Sequence, residues 1–199
     1  EFRRVLFRST AFSSTTATAS VTVTSVNDSP VAANAALTAI DEDVTSANNA
    51  GTLVSALVSG CTDADSNAVK GLAVTAVDEA NGKWFYTTNG GSSWLSLTGV
   101  SETAARLLKG DDANYKVRFV PNANYNGTAT FTFRAWDQTS GTAGQTADVT
   151  TNGGTTAFSS TTATASVTVT SVNDSPVAAN AALTAIDEDV TSASNAGTA

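Results

Sequence analysis

A long internal repeat constrains this chain more than any other feature of its sequence. Residues 10–52 read TAFSSTTATASVTVTSVNDSPVAANAALTAIDEDVTSANNAGT, and residues 156–198 repeat them with one difference, Asn48 against Ser194. The two copies are offset by 146 residues, a length typical of a domain and too long for a solenoid repeat. The sequence therefore predicts a tandem array of domain-sized units.

The same repeat predicts the boundaries of the units. We expect residues 10–26 to be the final strand of a preceding unit, residues 27–172 to be a complete unit and residues 173–199 to begin the next. Residues 1–9, EFRRVLFRS, resemble a translated sequencing adapter, and we expect them to be foreign to the fold. Residues 17–26 and 163–172 are identical, so either could fill the final edge position of the sandwich. We predict that the later copy fills it.

The composition favours short strands joined by turns. Hydrophobic residues make up 41% of the chain, which is enough for a packed core, and Thr, Val, Ser, Asn and Gly suit strands and tight turns. The sequence NGG at residues 89–91 predicts a hairpin, and residues 101–108 are predicted to form one helix capped by Ser101. Strands are predicted at residues 36–40, 53–58, 72–77, 84–87, 115–120, 128–136 and 163–172. Seven or eight such strands predict an all-β fold of the β-sandwich class.

Charge and residue usage argue against several functions. The net charge is −8, and an acidic surface disfavours nucleic acids and anionic membranes. The chain has no histidine, so neither a Ser-His-Asp triad nor an ordinary zinc site can form. The many acids leave a carboxylate pair of the glycosidase type open, but a domain repeated almost verbatim with its acids concentrated at its ends is typical of a building block, so we expect no enzyme. The single cysteine, Cys61, excludes an internal disulfide and is expected to be a small core residue. No apolar run reaches the length of a membrane-spanning helix.

Several motifs follow one another in the order and spacing of a known repeat family. They are VNDSP at residues 26–30, DED at 41–43, TDADS at 62–66, PNANYNG at 121–127 and RAWD at 134–137. Together they resemble the cadherin-like tandem repeats of large bacterial surface adhesins. The resemblance implies a Greek-key β-sandwich of the cadherin or immunoglobulin type, a calcium-dependent structural role, and an extracellular location on the cell surface or as a secreted protein.

The resemblance also implies where calcium would bind. Calcium takes about six to eight oxygen ligands, mainly carboxylates and carbonyls, and two units that meet end to end can supply them from both sides. At the N-terminal junction the expected ligands are Asn27, Asp28, Asp63, Asp65 and Asp137. At the C-terminal junction they are Glu42, Asn173 and Asp174, completed by the next unit. The mid-repeat Asp-Arg-Glu motif of animal cadherins is missing, so we expect one or two ions at a junction.

Each cluster also has a plainer interpretation. Asp63 and Asp65 are good turn formers, residues 27–30 have turn chemistry of their own, and residues 41–43 can be a charged strand end. The aromatic group Trp84, Tyr86 and Trp94 is expected first as core and hairpin packing, with sugar stacking as the alternative.

The expected function is that of a calcium-binding spacer repeat in a bacterial adhesin. Its expected partners are the adjacent units of the same chain, with surface glycans or proteins of a host or of the same cell beyond them. The alternative is a carbohydrate-binding immunoglobulin-like module that uses exposed aromatic residues, and a third hypothesis is homophilic adhesion.

Overall fold

The structure, a computed structural model, describes residues 11–195 and residue 197. Residues 1–9, predicted to be foreign, lie outside the described residues. The described chain is nearly all β, with eleven strands and one single-turn helix. The elements are β1 (Ala35–Ala36), β2 (Ile40–Asp41), β3 (Thr52–Leu53), α1 (Val54–Leu57), β4 (Gly71–Val77), β5 (Gly82–Thr87), β6 (Leu95–Ser96), β7 (Ala105–Lys109), β8 (Lys116–Pro121), β9 (Gly127–Trp136), β10 (Thr146–Ala147) and β11 (Ala163–Thr170).

These strands form two sheets, as the β-sandwich prediction requires. The larger sheet has the order β1-β11-β9-β4-β7-β10, and β2 also pairs with β11. The smaller sheet has the order β3-β8-β5-β6. All of these pairings are antiparallel except those of β1 and β2, which run parallel to β11.

The main core is built from alternating side chains of the longest strands. In β9 the residues Phe131, Phe133 and Ala135 are buried, while Thr132 and Arg134 between them are half-buried, as expected for a strand with one face on a core. Trp84 of β5 packs against rings from both sheets, with centroid distances of 4.9 Å to Phe119 and 5.0 Å to Phe131. The predicted strand at 128–136 is confirmed.

The predicted helix at residues 101–108 is wrong, because this segment contains β7, which pairs with β4 and β10. Leu108 of β7 faces the main core. Leu107 faces a second cluster with Trp136, Val149 and Phe158, on the other side of the larger sheet. A strand buried on both faces shows no alternation, so its sequence gave no strand signal.

Two other elements differ from their predicted form. The segment predicted as one strand at residues 53–58 is a strand only at β3 and then turns into α1, which buries Val54 and Leu57 on one side. The strand predicted at residues 36–40 is split into β1 and β2. The hairpin predicted at residues 89–91 is confirmed, since β5 and β6 pair across it and both glycines have positive φ, +76° and +104°.

The two copies of the final strand have different environments. Residues 17–26 form no strand, and Val21 and Val23 are 87% and 88% exposed. Their copies Val167 and Val169 are buried in β11. The prediction that the later copy fills this position is confirmed. The position is not an edge, however, because β11 lies between β9 and the short strands β1 and β2.

Chain connectivity explains this choice. The segment leading to Glu42 runs parallel to β11, and the Glu42 carboxylate accepts a hydrogen bond from the Val172 N–H. If residues 17–26 took the place of β11, Val26 would occupy the position of Val172. The next residue, Asn27, is held by Asp137 at the opposite end of the sheet, about 25 Å away for a strand of eight residues. One peptide unit cannot span that distance, so only the later copy fits.

Candidate functional site

The linker at residues 27–31 is docked onto the end of the sandwich where β9 finishes. The Asn27 side-chain amide donates to Asp137 Oδ2 at 2.9 Å. The Ser29 N–H donates to the Gly154 carbonyl at 2.8 Å. Val31 forms an antiparallel bridge with Thr62. The linker is therefore part of the folded unit and places Asn27 and Asp28 beside the acidic turn that follows Thr62.

That acidic turn is organised by its own carboxylates. Asp63 Oδ1 accepts a hydrogen bond from the Asp65 N–H at 2.9 Å, which closes the tight turn typical of aspartate. Asp65 Oδ2 in turn accepts the Asp28 N–H at 2.9 Å. The turn-forming interpretation is confirmed for Asp63. The other Asp63 oxygen, Oδ2, is buried without a hydrogen-bond partner.

Asp137 is the most buried acid of this end, with 3% of its surface exposed. It directly follows β9, so it lies at the end of the sandwich where the linker docks. Its Oδ1 accepts the N–H and the hydroxyl of Thr139, at 2.8 and 2.6 Å, and its Oδ2 accepts Asn27. Asn27, Asp65, Asp137 and Thr139 line one common cleft. The structure thus brings together all five residues predicted for the N-terminal junction.

The second predicted group is only partly assembled. Glu42 is 7% exposed, and its Oε1 accepts the Val172 N–H at 2.7 Å, directly before the linker. Asn173 and Asp174 are exposed, and the Asn173 amide makes only a long contact of 3.4 Å to the Asp174 carbonyl. These two residues are copies of Asn27 and Asp28, whose partners belong to the sandwich that follows the linker.

The arrangement has no preformed metal centre of the acidic type. Over residues 11–195 and 197, no group of three or more His, Cys, Asp or Glu side chains is close enough together to hold a metal ion. The carboxylates that accept these hydrogen bonds at the N-terminal end are those of Asp63, Asp65 and Asp137, and among their donors are the Asp65 N–H, the Asp28 N–H and the Asn27 side-chain amide. A cation bound there would share Asp137 and Asp65 with the protein donors that they already accept, whereas Asp63 Oδ2 has no donor.

Sequence reasoning missed Thr139 and the backbone carbonyls that help to hold the linker. Thr139 anchors Asp137 from two residues away, and the same Asp-x-Thr pattern recurs at Asp148, whose Oδ1 accepts both the N–H and the hydroxyl of Thr150. That spacing is a signal the sequence offered. The backbone carbonyls of residues 154–156 could not be recognised from the sequence, because every residue has a backbone carbonyl.

The aromatic group does not form an exposed platform. Trp84 and Tyr86 are in the core, with 0% and 4% of their surfaces exposed. Trp94 is half-buried, and the Arg118 guanidinium lies 4.1 Å above its ring. The interpretation of Trp84 and Tyr86 as packing residues is confirmed.

Comparison of the chain with protein-family models, with curated proteins and with solved structures gives no match. The resemblance to cadherin-like repeats rests on the motifs alone. In the part of the chain that the structure describes, no helix has the length and apolar character needed to cross a membrane.

Proposed function

We propose that this chain is a calcium-binding structural repeat of an extracellular bacterial adhesin and that it acts as a spacer between adhesive domains and the cell surface. The observation that carries the proposal is the position of the two linkers. The entering linker is held by Asp137 at one end of the larger sheet, and the leaving linker begins at Val172, beside Glu42 at the other end. Units connected in this way are arranged end to end.

The repeat turns this geometry into a composite junction. Residues 173–177 have the same sequence as residues 27–31, so the leaving linker of one unit is the entering linker of the next. Each junction then combines one glutamate, the linker Asn and Asp, and three aspartates of the next unit. At the C-terminal junction these residues would be Glu42, Asn173 and Asp174, together with the residues of the next unit that correspond to Asp63, Asp65 and Asp137. Six such side chains match the roughly six to eight oxygens that calcium prefers.

Calcium would act by removing repulsion between these carboxylates. Without a cation the acids of two facing ends repel one another, and the linker bends more freely. A bound ion neutralises them and couples the two units, so the array becomes a stiff rod. Extracellular sites of this type bind calcium at about 10⁻⁴ to 10⁻³ M, a range suited to sea water and body fluids.

We also propose that the sandwich is of the Greek-key, cadherin-like type. Successive strands pass between the sheets, from β3 to β4, from β4 to β5 and from β8 to β9. Such crossings are characteristic of Greek-key sandwiches.

The proposal is tested with a chain of two complete units, melted in 5 mM calcium and again in chelator. The melting temperature of the original sequence should rise in calcium. Asp63→Asn with Asp65→Asn in the second unit should abolish that rise, because these oxygens lie on the junction side of the linker.

The matched control is Asp111→Asn with Asp112→Asn. This pair has the same charge and a similar turn, in which Asp112 Oδ1 accepts the Asn114 N–H at 2.9 Å, but it is not a predicted junction ligand. The control should keep the full calcium response. Equal melting temperatures in calcium and in chelator, or an equal loss in both variants, would contradict the proposal.

A further inference from the structure

A cavity of about 150 Å³ is lined by residues of both sheets and by none of the predicted junction ligands. Leu37, Ile40, Phe119 and Val167 supply its apolar wall. An apolar cavity of this volume accommodates a molecule about as large as benzene. The junction proposal gives this cavity no role.

One wall of the cavity carries a buried cation. Arg118 of β8 lines the cavity and is only 8% exposed. Its Nη1 donates to the carbonyls of Ser46 and Asn49, at 3.0 and 3.2 Å. Its Nε is buried and has no hydrogen-bond partner. Arg118 therefore retains an unused donor in a place that water hardly reaches.

No anion balances this cation within residues 11–195 and 197. The two salt bridges found there belong to Lys83 and Arg134, and burial lowers the pKa of Arg118 without any compensating carboxylate. A buried charge without a counter-ion is costly, as is a buried donor without an acceptor. A bound anion would relieve both costs.

Two aromatic rings lie close to the guanidinium. The guanidinium carbon lies 4.1 Å from the Trp94 ring centroid and 5.7 Å from that of Phe85. Stacking uses the flat faces of the guanidinium, whereas its N–H donors point outward in the plane. A carboxylate approaching in that plane matches the donor geometry of arginine better than a neutral carbonyl does.

We propose that this cavity binds a small organic carboxylate, with the carboxylate on Arg118 and a compact apolar body against Leu37, Phe119 and Val167. The cavity supplies both parts of this ligand, a cation and a space of benzene size. Asn48 also lines the cavity, and it is the position at which the second copy of the repeat has Ser194. Successive units would thus present slightly different versions of the site.

The first test compares three compounds on the full, unaltered chain by two-dimensional NMR. Benzoate should shift the Trp94 indole N–H and the methyl signals of Leu37 and Val167, and it should bind at least tenfold more tightly than the neutral isostere benzamide. It should also bind at least tenfold more tightly than sulfate, which has charge but no apolar body. Equal binding of benzamide or of sulfate would overturn the proposal, as would unchanged signals in excess benzoate.

The second test uses a matched pair of arginine variants. Arg118→Met should weaken benzoate binding at least tenfold. Arg106→Met should leave benzoate binding unchanged, because Arg106 does not line the cavity. Arg106 is a matched control, since it also has a buried Nε without a hydrogen-bond partner and its guanidinium carbon lies 5.1 Å from the Tyr86 ring centroid. An equal loss in both variants would overturn the assignment of the site. If Arg118→Met does not fold, the benzoate and benzamide comparison decides the question.

Discussion

Replacing Val167 and Val169 by alanine tests which copy of the final strand completes the sandwich. Both side chains lie in the core, with 1% and 2% of their surfaces exposed. Each substitution removes two buried carbons, and at about 0.8 kcal/mol per buried methylene the pair loses about 3 kcal/mol of stability. The cavities left behind raise the cost to about 4 kcal/mol, which lowers the melting temperature of a domain of this size by about 10 °C.

The repeat provides the matched control for this experiment. Val21→Ala with Val23→Ala makes the same change in an identical local sequence, at side chains that are 87% and 88% exposed. Exposed substitutions of this kind change stability by about 0.5 kcal/mol or less. The assay is urea unfolding followed by tryptophan fluorescence, to which the buried Trp84 and Trp136 and the half-buried Trp94 contribute. Equal destabilisation by the two pairs, or a larger effect of the N-terminal pair, would refute the argument from chain connectivity.

Three further predictions concern single sites. Cys61 is buried, and burial raises the pKa of its thiol. Alkylation at pH 8, followed by mass spectrometry, should therefore be at least about a hundredfold slower in the native chain than in urea, and rapid labelling of the native chain would contradict this. Gly82→Ala would place a methyl carbon against the ring of Phe119 in the core and should lower the stability measured by thermal unfolding by about 2 kcal/mol or more. In Gly60→Ala the nearest neighbour of the new methyl carbon lies at an ordinary 3.4 Å, so the loss of stability should be clearly smaller. Hydrogen bonds from Thr150 lower the pKa of Asp148, so Thr150→Ala should raise that pKa in an NMR titration. Because the pKa is lower in the folded state, this contact stabilises the fold at pH values above the ordinary aspartate pKa, and the stabilisation is lost as the pH falls through the lowered pKa.

The fold was predictable where one face of a strand is buried and the other is not. β9 and β11 alternate in the sequence because they alternate in the structure. β7 did not follow this rule, because Trp136 at the end of β9, with Val149 and Phe158 from the segments after it, covers the outer face of the larger sheet. The local sequence of β7 therefore indicated only an intrinsic helix propensity, which tertiary packing overrides. Such a covered outer face depends on contacts distant in sequence, so a local pattern cannot predict it.

The candidate junction was predictable in its residues but not in its bonding. The order of the motifs placed Asn27, Asp65 and Asp137 at one end of the unit, and all three line one cleft. The sequence did not indicate that Thr139 and Asn27 already donate to Asp137. The proposed calcium ion would therefore share Asp137 with these protein donors, which favours a moderate affinity over a tight one. Arg118 was not singled out at all, because nothing in its local sequence shows that no acid will lie beside it.

Near-identical repeats face a folding problem that this topology solves. When two segments of one chain have the same sequence, contact energies cannot decide which of them joins a given sheet, and misassembly between units is a common failure of repeat proteins. Here the first segment of the unit runs parallel to the last one, from Asn34 beside Thr164 to Glu42 beside Val172. A copy placed directly before the linker cannot take that position without pulling the linker away from Asp65 and Asp137. In the proposed array, connectivity would thus fix the register, and successive units could be almost the same in sequence.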